Sequence, residues 1–530
     1  MTAADAGISK KLRAPNVRTV YRLPRTLSKL GFMAELVGES TSTDLYLDTD
    51  DWLILRSGAA CRLRLSEEET LLSVQSLALS EGHVLPTVHR ESLKEQPEGF
   101  PAQVPGTDVA SALKPTIGEE PVDVRLKLLR EETVYRASRD DGTAIEVAAG
   151  AFHIDLGKLD KGFVEIELRI PRRAREEMNR ISEAVASALG LDAAEGHILP
   201  VALDLAGLET PSLAEGEELT LLKTDRLVDS AYRILRRHFA KMVWNEPGTR
   251  LGMDREYLHD MRVASRRLRA AIRLLRGSLP QKRIQDFLQD LKWVGNALGR
   301  VRDMDVYIEH LEKDMKRISP EHRPALDTYV EEIASKREES RKGMLRALDG
   351  KRYGGFVESF GEWLNEGPAE EPAEPDAAVP TVVGARELIL RRLKRVLKDG
   401  RDITGASPDA QLHKLRIRCK RLRYACEFFA DLYGAPATRF AKRVTKLQDI
   451  LGAHQDAVVA RQMVSQFAKE ISGSDSATRD LYMAVGQLTA VYAQRAADER
   501  ERFTKAWERF DRRKVRKPLE ERMKQTKDRS

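Results

Sequence analysis

Cysteine is nearly missing from this chain. Only Cys61, Cys419 and Cys426 occur, and no CxxC is present. Three thiols cannot pair completely, so a disulfide framework is excluded and a reducing compartment is expected. Cys419 and Cys426 share one helix face and are expected to be buried small hydrophobes. Long apolar runs are missing as well. None approaches the ~20 residues of a spanning helix, so no membrane contact is expected. The opening residues, MTAADAGISKKLRAPN, lack an apolar core. They are not expected to be a secretory signal, and the protein is placed in the cytoplasm. There is no GxxxxGK[ST], no HExxH and no serine nucleophile elbow, which argues against a P-loop nucleotidase, a zincin and a serine hydrolase. A large charge excess is absent too: 89 Lys and Arg stand against 83 acids, for a net +6. Any inference about partners therefore rests on where the charge sits.

What is present divides the chain in two. At 530 residues one ordinary core is too small, and about two to four domains are expected. Residues 1–16 are expected to be disordered. Residues 17–210 alternate apolar and polar positions, the mark of half-buried strands. In Phe163–Ile170, Val164, Ile166, Leu168 and Ile170 share one face, and Glu165, Glu167 and Arg169 the other. Asp140-Asp141-Gly142 reads as a turn between strands. Helices are expected near Arg25–Leu36 and Arg172–Leu189, the latter stopped by Gly190. From 217 to 510 the period becomes helical, with helices expected at Thr220–Val243, Asp254–Arg276, Arg283–Leu298, Asp303–Arg317 and Pro320–Leu348. They resume at Ala385–Lys398, Pro408–Leu432, Ala437–Leu451, Asp456–Lys469 and Ser476–Arg509. The acidic, proline-rich Asn365–Pro380 reads as an extended or disordered linker between 217–364 and 381–510. Residues 511–530 read as a frayed charged tail.

One stretch occurs twice. Leu258–Ile272, LHDMRVASRRLRAAI, returns as Leu412–Cys426, LHKLRIRCKRLRYAC. At 3.6 residues per turn, His259, Arg262, Arg266, Arg269 and Arg273 line one side of a helix. His413, Arg416, Lys420 and Arg423 do so in the second copy. Like charges one turn apart weaken an isolated helix by roughly 0.2–0.5 kcal/mol per pair. Keeping them twice, in register with a histidine, points to an anionic ligand. The repeat extends outward: Leu235-Arg236-Arg237 matches Leu390-Arg391-Arg392, and Leu298-Gly299 with Asp303 matches Leu451-Gly452 with Asp456. Two related helical bundles, paired by a pseudo-twofold, are expected.

The duplicated H-x-x-R-x-x-x-[RK]-R-L-R helix, with LG and Asp downstream, resembles the CHAD family over about 217–510. The resemblance implies two four-helix bundles, inorganic polyphosphate bound along a basic central surface, and placement on polyphosphate granules among their associated proteins. Carried over by position, the implied polyphosphate contacts are His259, Arg262, Arg266, Arg269, His413, Arg416, Lys420 and Arg423. Arg236, Arg237, Arg391 and Arg392 follow as secondary anion contacts.

Residues 17–205 resemble the CYTH, or triphosphate-tunnel, family. The resemblance rests on Leu45–Asp50 (LYLDTD), Leu53–Arg64 (LILRSGAACRLR) and Phe163–Leu168 (FVEIEL). It implies an antiparallel β-tunnel in which cations grip a triphosphate and carboxylates hold divalent metals. The fold class expected for the whole chain is thus α+β: a β-tunnel followed by an all-α domain of two pseudo-symmetric bundles. Departures from the family pattern are specific. Its opening E-x-E-x-K strand is expected near Asn16–Arg22, which reads NVRTVYR without a carboxylate. The strand Leu72–Leu77 has no lysine, and Ala148 stands where a second acid accompanies Glu146. Glu146, Glu165 and Glu167 remain as candidate catalytic carboxylates, and Arg62 and Arg64 as further anion contacts. A hard cation needs several oxygen ligands, so no metal or other cofactor is expected unless the tunnel is active with Mg²⁺ or Mn²⁺.

Polyphosphate is a linear anion without bases, and many regularly spaced cations suffice to hold it. Single-strand nucleic-acid binders usually add aromatics for stacking, worth ~1–3 kcal/mol per base. The first stripe has none; the second has Tyr424. The reading is a polyphosphate-binding protein with an inactive tunnel-like domain. The alternatives are a metal-dependent triphosphatase or polyphosphatase and, more weakly, a nucleic-acid binder.

Overall fold

A computed structural model describes residues 8–14, 16–77, 79–80, 83–84, 89–93, 108–155, 160–170, 175–194, 196–211, 220–472 and 478–527. Two compact units emerge: residues 1–212 with 245–257, and residues 213–244 with 258–530.

The first unit is built on one antiparallel sheet. Its strands are β1 (Ile8–Ala14), β2 (Met33–Asp48), β3 (Ala59–Ser66), β4 (Thr70–Ser76), β5 (His89–Leu93), β6 (Asp123–Ser138), β7 (Ala144–Asp155), β8 (Asp160–Ile170) and the short β9 (Asp192–Ala193). They lie in the order β9-β1-β8-β7-β6-β2-β3-β4-β5. Alternation sorts each strand between two faces. Val164, Ile166 and Leu168 of β8 pack with Met178, Ile181 and Val185 of α3 (Arg175–Leu189), and with Leu23 and Leu27 of α1 (Leu23–Lys29). Cys61 and Leu63 of β3 pack with Val109 and Leu113 of α2 (Asp108–Ile117). Glu165, Arg62 and Arg64 consequently point the other way, to the face where Tyr46, Phe152 and Phe163 meet Leu199 and Leu203 of α4 (Ile198–Ala206).

Three expectations for this unit are corrected. Residues 8–14 are a strand, although 1–16 reads as disorder; residues 1–7 lie outside the described residues. β1 pairs along β8, Lys11 opposite Glu167 and Arg13 opposite Glu165. Val17–Arg22, the expected first strand, is a 3₁₀ helix capped by the Asn16 side chain. The helix expected to Leu36 ends at Lys29, and β2 has begun by Met33.

The second unit is helical. The first repeat holds α5 (Leu227–Trp244), α6 (Arg255–Leu274), α7 (Gln281–Met315), α8 (Asp327–Leu348) and α9 (Lys351–Glu366). The second holds α10 (Thr381–Arg401), α11 (Asp409–Phe428), α12 (Ala435–Glu470), α13 (Arg479–Phe510) and α14 (Arg513–Lys527). Breaks expected after Leu298 and Leu451 do not occur. Gly299 and Gly452 lie inside unbroken helices, because burial of Leu298, Val301 and Leu451 outweighs the ~1 kcal/mol cost of a helical glycine. α9 was not expected. The tail is not frayed: Leu519 and Met523 of α14 are buried in the main helical core.

The acidic linker is extended but ordered. Its Val379 and Ala377 carbonyls accept from the Leu227 and Val228 amides at 2.9 and 3.2 Å, and Asp376 donates to the Gly277 carbonyl at 3.1 Å. The linker thus satisfies amides at the α5 N-terminus, which no intrahelical partner can reach. Among the described residues, no helix is long and apolar enough to cross a membrane.

Candidate anion-binding site

α6 buries Leu258, Met261, Ala264, Leu268 and Ile272. Helical geometry then leaves Arg262, Arg266, Arg269 and Arg273 along the opposite flank. α11 buries Leu412, Leu415, Cys419, Leu422 and Cys426, which leaves Arg416, Lys420 and Arg423. Both helical cysteines fill core positions, as expected.

The two stripes converge. Lys420 lies in the field of Arg266, Arg416, Arg262 and Arg423. Burial and then these cations push its pKa from 10.5 down to about 6. Arg262 is also lowered, by burial and by Arg266, Arg302 and Arg416, against the raising effect of Asp303. Arg262 donates to Asp303 at 2.8 Å. The repeat's glycines sit under equivalent arginines: a Cβ on Gly299 would lie 3.6 Å from Arg262 Nε, and one on Gly452 3.6 Å from Arg416 Nε. Arg266 Nε donates to the Tyr424 hydroxyl at 2.9 Å. His413 Nδ1 is 3.0 Å from Gln455 Oε1, and His259 is half-buried on α6.

Beside this strip opens a cleft of about 610 Å³. α6 contributes Arg266, Arg269 and Arg273; α10 contributes Arg392 and Arg395; α11 contributes Arg418, Lys420 and Arg421, with Tyr424 in the wall. These are eight basic side chains, and no carboxylate lines the cleft. Among the described residues, no ion pair within 4.0 Å engages Arg269, Arg273, Lys420 or Arg421. Burial and the neighbouring Arg391, Arg395 and Arg421 lower Arg392 to about 10. Burial, Arg273 and Arg266 lower Arg269. Arg418 is paired with Asp399 at 3.3 Å; the other basic side chains, held this close without ion pairs among the described residues, resemble a site preloaded for negative charge.

The expected contacts separate here. Arg266, Arg269 and Lys420 enter the cleft. Arg262 and Arg416 lie in the adjoining strip. Arg423 turns toward Glu427, at 3.6 Å. Of the secondary group, Arg392 lines the cleft and Arg391 adjoins it. Arg236 instead donates to the Leu364 carbonyl at 2.9 Å, closing the α9 C-terminus, and Arg237 is exposed. Arg395, Arg418 and Arg421 were not singled out by sequence. Helical spacing from Arg392 and from the repeat motif could have found the first and last. Arg418 has Ala264 as its counterpart, so the repeat concealed it.

The first unit's polar face is different, because its cations already have acids. Arg64 donates to Asp44 at 2.7 and 2.8 Å, and Arg62 lies 3.6 Å from the same carboxylate. Burial pushes Asp44 up, but the Arg64 hydrogen bond and the charges of Arg62, Arg64 and Arg130 hold its pKa below the usual value. Lys11 Nζ is 2.9 Å from Glu165, which also accepts from Arg13. Arg169 bonds Glu146 at 2.9 Å and Glu167 at 2.8 Å. His197 reaches Gln75 at 2.7 Å; burial and the nearby Arg62 lower its pKa to about 3. A divalent metal would need several of these oxygens together. Among the described residues, no three His, Cys, Asp or Glu side chains are grouped to hold one. The described residues do not fit the metal that the tunnel resemblance implies.

Sheet and helices together define a two-unit protein whose helical unit is a tandem repeat carrying a cation-only cleft. Residues 233–465 match the family model of the CHAD domain, and the chain carries a CHAD domain there. Two uncharacterized proteins of Mycobacterium tuberculosis, from strains CDC 1551 / Oshkosh and ATCC 25618 / H37Rv, are each 24% identical over 478 residues, 86% of this chain and 88% of theirs. Among solved structures, the CHAD domain of the plant Ricinus communis is 28% identical, covers 55% of this chain and 94% of its own, and gives a TM-score of 0.45. A Hippeastrum adenylyl cyclase candidate with a dominant triphosphatase activity is 19% identical, covers 39% of this chain and 98% of its own, and gives 0.29.

Proposed function

We propose that this protein binds inorganic polyphosphate through the CHAD unit, and that its sheet unit is not a metal-dependent hydrolase. The observation that carries the reading is the cleft lined by eight basic side chains and no carboxylate. Arginine bonds phosphate oxygens in bidentate fashion, and lysine adds a point charge. A phosphate chain presents those oxygens at regular spacing and needs no base-reading group. Tyr424, the aromatic of the second stripe, is 2% exposed and accepts from Arg266. It is unavailable as a stacking platform, which supports a simple polyanion over nucleic acid. On this reading, any placement at polyphosphate granules follows from binding the granule's own polymer.

The test is retention of labelled polyphosphate at fixed salt, since such contacts are screened. Replacing His259, Arg262, Arg416 and Lys420 together by alanine is expected to reduce binding at least tenfold in a folded protein. Unchanged binding would overturn the reading. Competition by single-stranded RNA at equal phosphate concentration is expected to be weaker than competition by unlabelled polyphosphate.

A further inference from the structure

The duplicated motif suggests two equivalent flanks, one on each side of the α6–α11 pair. Their chemistry differs. The repeat register equates Arg273 with Glu427, Arg395 with Ala240, and Arg418 with Ala264. Three cleft cations thus have an acid or an alanine as counterpart. The contacts follow the substitutions. Arg421 faces the like charges of Arg418, Arg273 and Arg395. Its counterpart Arg267 is instead paired with Glu427 at 2.8 Å. Glu427 also lies 3.6 Å from Arg423, the counterpart of Arg269. Both arginines on that flank further lie over the Tyr424 ring, at 5.6 and 5.2 Å, where the first repeat has Ala270.

We infer that this chain binds its linear phosphate polyanion on one flank only, the Arg273–Arg421 side, and that Glu427 closes the other by occupying Arg267 and Arg423. The inference rests on the polyphosphate reading and adds which half of a pseudo-symmetric surface is in use. A carboxylate within ion-pair distance of two arginines offsets the positive charge that phosphate would otherwise meet. Its charge also repels an approaching anion, so the paired flank is discriminated against.

The experiment compares equivalent residues in the full-length protein, using tripolyphosphate as the probe in titration calorimetry. R421A is expected to weaken binding at least fivefold and R267A less than twofold. E427Q keeps the side-chain shape and removes the charge. It is expected to strengthen binding at least threefold, with the gain lost in E427Q/R267A. Equal losses for R421A and R267A, or an E427Q affinity unchanged in a protein that still binds, would overturn the one-sided assignment. Wild-type protein that takes up neither tripolyphosphate nor long polyphosphate would instead overturn the polyphosphate reading itself.

Discussion

Lys420 joins binding to protons. Burial and the charges of Arg266, Arg416, Arg262 and Arg423 hold its pKa near 6, so above about pH 6 the unliganded ammonium is largely deprotonated. A polyanion favours the charged form and raises that pKa. Binding near pH 7.5 should therefore take up a proton, and affinity should fall as pH rises from about 6. Calorimetry in buffers of different ionisation enthalpy is expected to give different apparent enthalpies for wild type and a common value for K420R. Equal enthalpies in wild type would refute the coupling. The sign for folding is the reverse of that for binding. Between about pH 6 and 10.5 the unfolded chain binds the extra proton at this residue, so the contribution of Lys420 to stability rises with pH across that window. The presence of Lys420 in the stripe was legible in sequence, because helical period fixes the flank. Its depressed pKa was not legible, because burial and two of the four arginines that lower it, Arg262 and Arg266, come from the other helix.

At the scale of elements, packing decides where the site's walls stand. α10 supplies Arg392 and Arg395, and Gly400 holds it close to α13. A Cβ on Gly400 would fall 2.0 Å from Trp507 Cη2. That ring cannot simply swing away, since it is 9% exposed and packed between Phe503 and Phe510, with centroids at 6.1 and 5.7 Å. Gly→Ala would ordinarily favour a helix by ~1 kcal/mol, whereas overpacking costs about 1–3 kcal/mol. G400A is expected to lower stability, by up to about 2 kcal/mol, in denaturant unfolding; a stabilising result would contradict this packing. Elements were unevenly legible. α6 and α11 are strongly periodic and stood out. β1 did not, because ISKKLRA is too basic to announce a strand. What holds it is register with β8, where Lys11 and Arg13 meet Glu165 from more than 150 residues away in sequence. Sequence predicts breaks in the long helices because glycine is a helix breaker locally, while burial of the leucine beside it acts through contacts distant in sequence.

On the scale of the whole molecule, the question is whether the sheet unit performs chemistry. Asp44, Glu146, Glu165 and Glu167 are engaged with arginines and lysines, and metal-assisted phosphoryl transfer needs carboxylates gathered on a metal ion. Incubation of the full chain with tripolyphosphate and Mg²⁺ or Mn²⁺ is expected to release no phosphate above a metal-only control. Turnover that disappears in the double substitution E165A/E167A would establish the hydrolase instead. The replacement of an acidic first strand by Lys11 and Arg13 belongs to this scale. Reading the motif at Asn16–Arg22 showed only a missing carboxylate. Placing the strand at Ile8–Ala14 shows cations where acids were expected, set against the carboxylates that remain.

Sequence alone determined the two halves, the tandem helical repeat and the basic flank on each repeat's second helix. Periodicity and repetition are local properties, and helical pitch converts them directly into faces. Tertiary structure alone decided that the two flanks meet around Lys420, that Glu427 takes Arg267 on one side while Arg421 meets Arg418, Arg273 and Arg395 on the other, and that Asp44, Glu146, Glu165 and Glu167 of the sheet are already paired. Each of these depends on charges brought within a few ångströms by packing. Coulombic interaction rises as separation and solvent between charges fall, and neither quantity is written in residue spacing.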